Sequence, residues 1–255
     1  MFILFATLPL ILAVLYILIE RVKHDKSHLL SHVVVTGGSS GIGLSIAQEL
    51  VKLQAKKVTL IARGTDKLKQ TKDMLDDLAK TYAPGEKKTL SGTQIDVVSL
   101  DISNEDEVIE KLTPILKESA PTMLFNVAGT SISGYVESTP SKSYESLMRI
   151  NYLGTVNITR VCLPFMRGGK GAAIAVTSSA AGQVGVFGYT AYSPSKFALS
   201  GFVEALSMEV LADKVSVTIA FPPDTDTPGY KEEQKSKPKE TDLISDAAGL
   251  FKPEE

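Results

Sequence analysis

The chain holds no tryptophan, a single cysteine and three histidines in 255 residues. Cys162, being alone, excludes an internal disulfide, as expected on the cytosolic side of a membrane. His24, His28 and His32 crowd the N-terminal edge, where they read as solvated linker and strand-edge residues. That placement offers neither a metal cluster nor a Ser-His-Asp triad, so no metal site is expected. A formal charge of −2 lacks the basic excess that general nucleic-acid binding requires. Internal repeats are absent as well. What is abundant is apolar: 44% of residues are hydrophobic, enough for a sizeable core, and the length suits one large α/β domain or two small ones.

Charge is missing altogether from residues 2–19, which are almost wholly apolar, with Pro9 the one helix breaker. As a helix rising about 1.5 Å per residue, this segment just crosses a thin bilayer core of roughly 27–30 Å. It lacks the preceding basic region and the small-x-small cleavage site of a signal peptide. It also lacks the polar face of an ordinary packed helix. Arg21, Lys23 and Lys26 follow at once, and the positive-inside rule keeps them cytosolic. The expectation is a membrane anchor over residues 1–20, a charged linker over 21–30 and one folded domain over 31–255.

From residue 32 onward apolar strands alternate with amphipathic helices. Strands are expected at His32–Thr36, Val58–Ala62, Thr93–Leu100, Met123–Asn126, Ala172–Thr177 and Val215–Ala220. Helices are expected at Ile42–Leu53, Asp66–Tyr82, Glu105–Leu116 and Tyr144–Phe165, and again from Tyr192. The stretch Ala83–Lys88 has the composition of a surface loop. Strands joined by crossover helices predict a Rossmann-like, doubly wound parallel sheet with helices on both faces.

Two stretches carry chemistry. Between the first strand and the first helix lies Thr36-Gly37-Gly38-Ser39-Ser40-Gly41-Ile42-Gly43. Glycines allow a tight turn and close approach to a pyrophosphate, and the helix start offers free N–H groups and a positive dipole end. Ser39 and Ser40 add hydroxyl donors. In that strand–loop–helix context the element points to a dinucleotide. The second strand ends in Arg63, with Lys67 one turn on, where an NAD-preferring site carries an acidic ribose ligand. Two cations suit a ribose 2′-phosphate, so NADPH is the expected cofactor. The second stretch is Tyr192-Ser193-Pro194-Ser195-Lys196. Pro194 belongs in a first helical turn, and Tyr192 and Lys196, four apart, share a face. An ammonium beside a phenol lowers its pKa and readies it to pass a proton near neutrality.

Together these residues resemble the short-chain dehydrogenase/reductase family, from His32 to about Tyr230. Asp101 with Ile102 resembles the family's adenine-contacting pair. Asn126-Val127-Ala128-Gly129 is similar to its Asn-Asn-Ala-Gly element, departing at Val127. Asn151 falls at the position of the family's catalytic asparagine, and Thr177-Ser178-Ser179 resembles its catalytic-serine segment. The family's serine stands thirteen residues before the tyrosine, which selects Ser179, with Ser178 kept open. The resemblance implies that Ser179 donates a hydrogen bond to a substrate oxygen and Tyr192 supplies the proton. It further implies that Lys196 tunes Tyr192 and holds the nicotinamide ribose, while Asn151 holds a water linking Lys196 to solvent.

Beyond the sixth strand, Phe221-Pro-Pro-Asp-Thr-Asp-Thr-Pro-Gly229 puts Pro223 where most of the family has glycine. Thr227 keeps the family's threonine beside the nicotinamide. This run, and Gly188 to Lys196, are similar to those of family members that reduce a sphingoid ketone at the endoplasmic reticulum membrane, active site to the cytosol. The implied partners are a lipid substrate and the bilayer; a homo-oligomer stays open. A steroid- or retinoid-type member of the family is a rival reading that the double proline disfavours. A cofactor-binding scaffold without turnover is another, because the family's last helix and strand are not expected in this sequence. Lys252-Pro-Glu-Glu255 reads as the start of that helix.

Overall fold

The computed structural model describes residues 26–82 and 92–254. Six strands form one parallel sheet: β1 Val33–Thr36, β2 Lys57–Ala62, β3 Gln94–Ser99, β4 Met123–Asn126, β5 Ala172–Thr177 and β6 Val215–Ala220. Their order is β3-β2-β1-β4-β5-β6, with every pair parallel. The order in which strands are added reverses between β1 and β4, and a crevice opens there beyond the carboxyl ends of the strands.

Burial explains the strands. Val33, Val34 and Val35 of β1 are all fully buried, as a central parallel strand with both faces covered requires. Their side chains alternate between layers: Val34 joins the cluster of Leu124, Ile158, Ile174 and Leu199, while Val33 and Val35 join that of Leu50, Leu60, Leu68 and Leu75. Each such aliphatic side chain contributes about 1.5–3 kcal/mol of burial.

Helices cover both faces: α1 Gly41–Lys52, α2 Thr65–Tyr82, α3 Glu105–Glu118, α4 Ser141–Leu147, α5 Gly154–Met166 and α6 Tyr192–Glu209. In α2 the buried Leu68, Thr71, Leu75 and Ala79 make one stripe on an otherwise polar helix. Asn104 caps α3, its side chain accepting from the Glu107 N–H at 3.3 Å. The long helix expected over Tyr144–Phe165 is interrupted: a π-helical turn, Met148–Leu153, joins α4 to α5. Gly154 follows it because a Cβ there would lie 2.6 Å from Cδ1 of Ile102.

Several expectations change. His32 is no solvated edge residue: its ring is buried, Nδ1 2.7 Å from the Ser119 carbonyl and Nε2 2.9 Å from Thr59 Oγ1. Burial pushes its pKa down. The end of the expected linker, Lys26–Leu30, is a 3-10 turn tied to the domain, the Leu29 carbonyl accepting from Thr122 Oγ1 at 2.7 Å. Past β6 come two further helices, α7 Pro228–Glu233 and α8 Lys239–Ala248. Lys252–Glu254 does not begin a helix, because Gly249 stops α8 at φ +81° and the Phe251 backbone bonds to Asp224 and Asp226. Among the described residues no helix is long and apolar enough to cross a membrane. Residues 2–19, where the sequence leads one to expect an anchor, lie outside the described residues.

Candidate active site

The crevice is built first from backbone. Thr36, at the end of β1, accepts the N–H groups of Val127 and Ala128 at 2.9 and 3.0 Å, which pins the loop after β4 across the switch point. Gly37 turns the chain at φ +69° and donates its N–H to the Ile61 carbonyl at 2.8 Å. A Cβ at Gly43 would stand 2.4 Å from the Gly37 carbonyl oxygen, so only glycine lets α1 start this close to the turn. Gly41, at φ +53°, leaves the room that Thr227 fills from the opposite wall, 2.9 Å from where a Cβ would be. Ser40 is the N-cap of α1 but makes no side-chain capping bond, so the helix start keeps its N–H donors.

Two cavities meet at this loop. One, of about 340 Å³, is lined by Gly37, Ser40, Gly41, Ile42 and Gly43 and runs to Ser179, Tyr192, Lys196 and Thr227. The other, of about 280 Å³, holds Ser39, Arg63, Lys67, Asp101 and Ile102. Arg63 and Lys67 are exposed and enter no ion pair among the described residues. Asp101 is held by an Oδ1 bond from the Ser103 N–H at 2.9 Å, and Ile102 is buried against α5. A cradle without Cβ atoms, open N–H groups and two unpaired cations at the far end fit an extended dinucleotide. Asn126 is not brought to either cavity: it donates from Nδ2 to Thr159 Oγ1 at 3.0 Å, and its buried Oδ1 has no partner among the described residues.

The chemical end is assembled where β5 meets α6. Lys196 donates from Nζ to the Thr177 carbonyl at 3.0 Å. Ser178 is buried and spends its hydroxyl on the Lys196 carbonyl, 3.0 Å away, so it ties strand to helix. Ser179 caps the next turn, accepting from the Ala181 N–H at 3.2 Å, and its hydroxyl lies near enough to the Tyr192 phenol to oppose the rise in its pKa. Of the two serines left open by the sequence, Ser179 is therefore the one that meets the phenol. Asn151 sits in the π-turn, a frequent feature of functional helices. Its amide grips both backbone groups of Thr130, at 2.8 and 2.9 Å, and donates to Ser195 Oγ at 2.9 Å. Gly129 leaves a gap between Asn151 and Lys196: a Cβ there would be 3.1 Å from Oδ1 of the first and 3.4 Å from Nζ of the second.

The electrostatics correct one expectation. Burial lowers Lys196 to about 8. Tyr192, however, is raised rather than lowered. Burial is the main cause, with the Glu233 and Asp224 carboxylates adding to it against the Ser179 hydroxyl. Lys196 Nζ lies 5.8 Å from the Tyr192 ring centroid and is committed to the Thr177 carbonyl, so its charge does not overcome desolvation.

Sequence reasoning misses the remaining wall. Tyr189 packs its ring on that of Tyr192, centroids 5.3 Å apart at 62°, and bonds its hydroxyl to Glu233. Lys237, its side chain fully buried, lies 3.4 Å from Asp224 Oδ2 and 3.7 Å from Glu233 Oε1, with Nζ 5.0 Å from the Tyr230 ring centroid. Nothing local marks Glu233 and Lys237, because Lys231 to Lys239 has the composition of a solvated face.

The short chain dehydrogenase family profile matches residues 31–238. A 3-dehydrosphinganine reductase of Danio rerio is 46% identical over 229 residues, 88% of this chain and 65% of the relative. A 3-ketodihydrosphingosine reductase of Mus musculus is 48% identical over the same shares. This chain thus spans about two thirds of the length of those relatives. In fold it is similar to L-sorbose reductase of Gluconobacter frateurii, solved with NADPH and L-sorbose: TM-score 0.73, 23% identity, 88% of this chain and 85% of that one. A 3-oxoacyl-[acyl-carrier protein] reductase of Brucella melitensis, solved with NAD, gives TM-score 0.72 at 22% identity, over 91% and 81%. On profile, relatives and sheet order alike, the chain belongs to the short chain dehydrogenase family.

Proposed function

We propose that the protein reduces the ketone of 3-ketodihydrosphingosine to the alcohol of dihydrosphingosine with NADPH. The observation that carries this is the opening of Ser179, Tyr192 and Lys196 into the same cavity as the glycine loop, in a chain 46–48% identical to reductases of that name. Arg63 and Lys67 favour the 2′-phosphate of NADPH over the free hydroxyl of NADH. When bound, the reduced nicotinamide supplies the hydride that the ketone carbon accepts.

Ser179 and Tyr192 meet the ketone oxygen, where negative charge grows, with two hydrogen-bond donors. Tyr192, whose raised pKa keeps it protonated at neutral pH, gives up its proton to that oxygen. Lys196 is mostly charged below pH 8 and stabilises the phenolate that forms. A water in the gap beside Gly129, held by Asn151, would carry a proton back from solvent through Lys196. Residues 2–19 would anchor the domain to the endoplasmic reticulum membrane, on its cytosolic face, beside the bilayer that holds the substrate.

NADPH oxidation with 3-ketodihydrosphingosine, run beside a steroid ketone, tests the assignment. Turnover of the sphingoid ketone alone is expected. Turnover of the steroid alone, or NADPH binding with no turnover of either, overturns it.

A further inference from the structure

We propose that Asp224 and Glu233 form an ammonium-binding subsite that selects ketones bearing a protonated amine on the neighbouring carbon. This deepens the function proposed above and rests on it. Both carboxylates line the wall of the cavity that carries Tyr192. Each commits one oxygen to the cluster: Asp224 Oδ2 to Lys237, Glu233 Oε1 to Lys237 and Tyr189. Asp224 Oδ1 and Glu233 Oε2 have no hydrogen-bond partner among the described residues, although the Glu233 side chain is only 9% exposed. Two carboxylates face one buried ammonium, Lys237, which leaves one negative charge uncompensated on this wall. A carboxylate that shares its one cation with a neighbour and keeps an unbonded oxygen can take a further cationic donor in a charge-assisted hydrogen bond.

The location defines the ligand. Tyr189 links Glu233 to the Tyr192 ring, so a ketone oxygen at the Tyr192 hydroxyl places the substituents of its neighbouring carbon beside this wall. An α-ammonium there brings donors to the two open oxygens. It also offsets the pull of both carboxylates on the Tyr192 phenol, so the amine that is recognised makes Tyr192 a readier proton donor. A neutral ketone gains neither effect. Lys196, the other nearby cation, is turned away towards the Thr177 carbonyl and does not fill this role.

The test compares 3-ketodihydrosphingosine with 1-hydroxyoctadecan-3-one, the same ketone without the amine, using the full chain and NADPH. The unmodified enzyme should prefer the amine-bearing ketone by about 10–100-fold in kcat/KM, the range expected for charge-assisted hydrogen bonds. Asp224→Asn should pull that ratio towards one. Glu233→Gln, which can still bond Tyr189, should do so as well. NADPH binding and the unfolding temperature check that both variants are folded. If either misfolds, the unmodified enzyme's preference decides alone. Equal kcat/KM for the two ketones, or equal losses on both in the folded variants, overturns the subsite while leaving the reductase assignment standing. No reduction of either ketone removes both.

Discussion

The two ends of the crevice are built from different materials. The cofactor end is mostly backbone: Gly37, Gly41 and Gly43 create space, and the uncapped start of α1 supplies donors. All of this lies within eight consecutive residues. The substrate end is side chain against side chain over long separations. Tyr189 meets Glu233 across 44 residues, Ser133 meets Ser236 across 103, and Tyr135 meets Glu240 across 105. A backbone site is specified by where side chains are missing, so it can serve one ligand in many proteins. A site made of paired side chains can be re-specified one residue at a time, and that is where substrate choice belongs.

The two ends should therefore fail differently. The largest effect is expected at the chemical end. Tyr192→Phe keeps the ring packed on Tyr189 but removes the O–H, and turnover should fall by about 10²–10⁴-fold. NADPH binding, followed by nicotinamide fluorescence, should barely change, since no atom of the glycine loop is touched. Turnover comparable to that of the unmodified enzyme, measured where chemistry limits the rate, would remove Tyr192 from the mechanism.

At the cofactor end the reverse is expected. Arg63→Asp should shift the preference between NADPH and NADH by about 10–150-fold towards NADH. The relative rates on different ketones should stay as they were. Equal weakening of both cofactors would contradict a 2′-phosphate role for Arg63.

The smallest effect sits on the boundary, at Lys196. With its pKa lowered to about 8, Lys196 is charged below that pH and neutral above it. Tyr192 is shifted the other way and stays protonated across the same range. Turnover should decline as pH rises through about 8. Lys196→Arg, which cannot lose its charge in that range, should flatten this limb even if it lowers the plateau. An unchanged limb in that variant would assign it to another group.

Much of the fold is legible from local pattern. The alternation of strands and helices, the glycine loop and the four-residue spacing of Tyr192 and Lys196 each rest on a few neighbouring residues. Backbone conformation is a short-range property, so periodicity and glycine placement were enough to anticipate a doubly wound parallel sheet. Other features were decided only when distant segments met. Which of Ser178 and Ser179 meets the phenol depends on how β5 packs on α6. The burial of His32 depends on Thr59 and Ser119 closing over it. The direction of the Tyr192 shift, which the Tyr-Lys spacing alone gets wrong, depends on desolvation and on two carboxylates arriving from beyond β6. Chain proximity carries backbone geometry, but solvation and charge pairing are set by whatever packs around a group, and that exists only in the folded molecule.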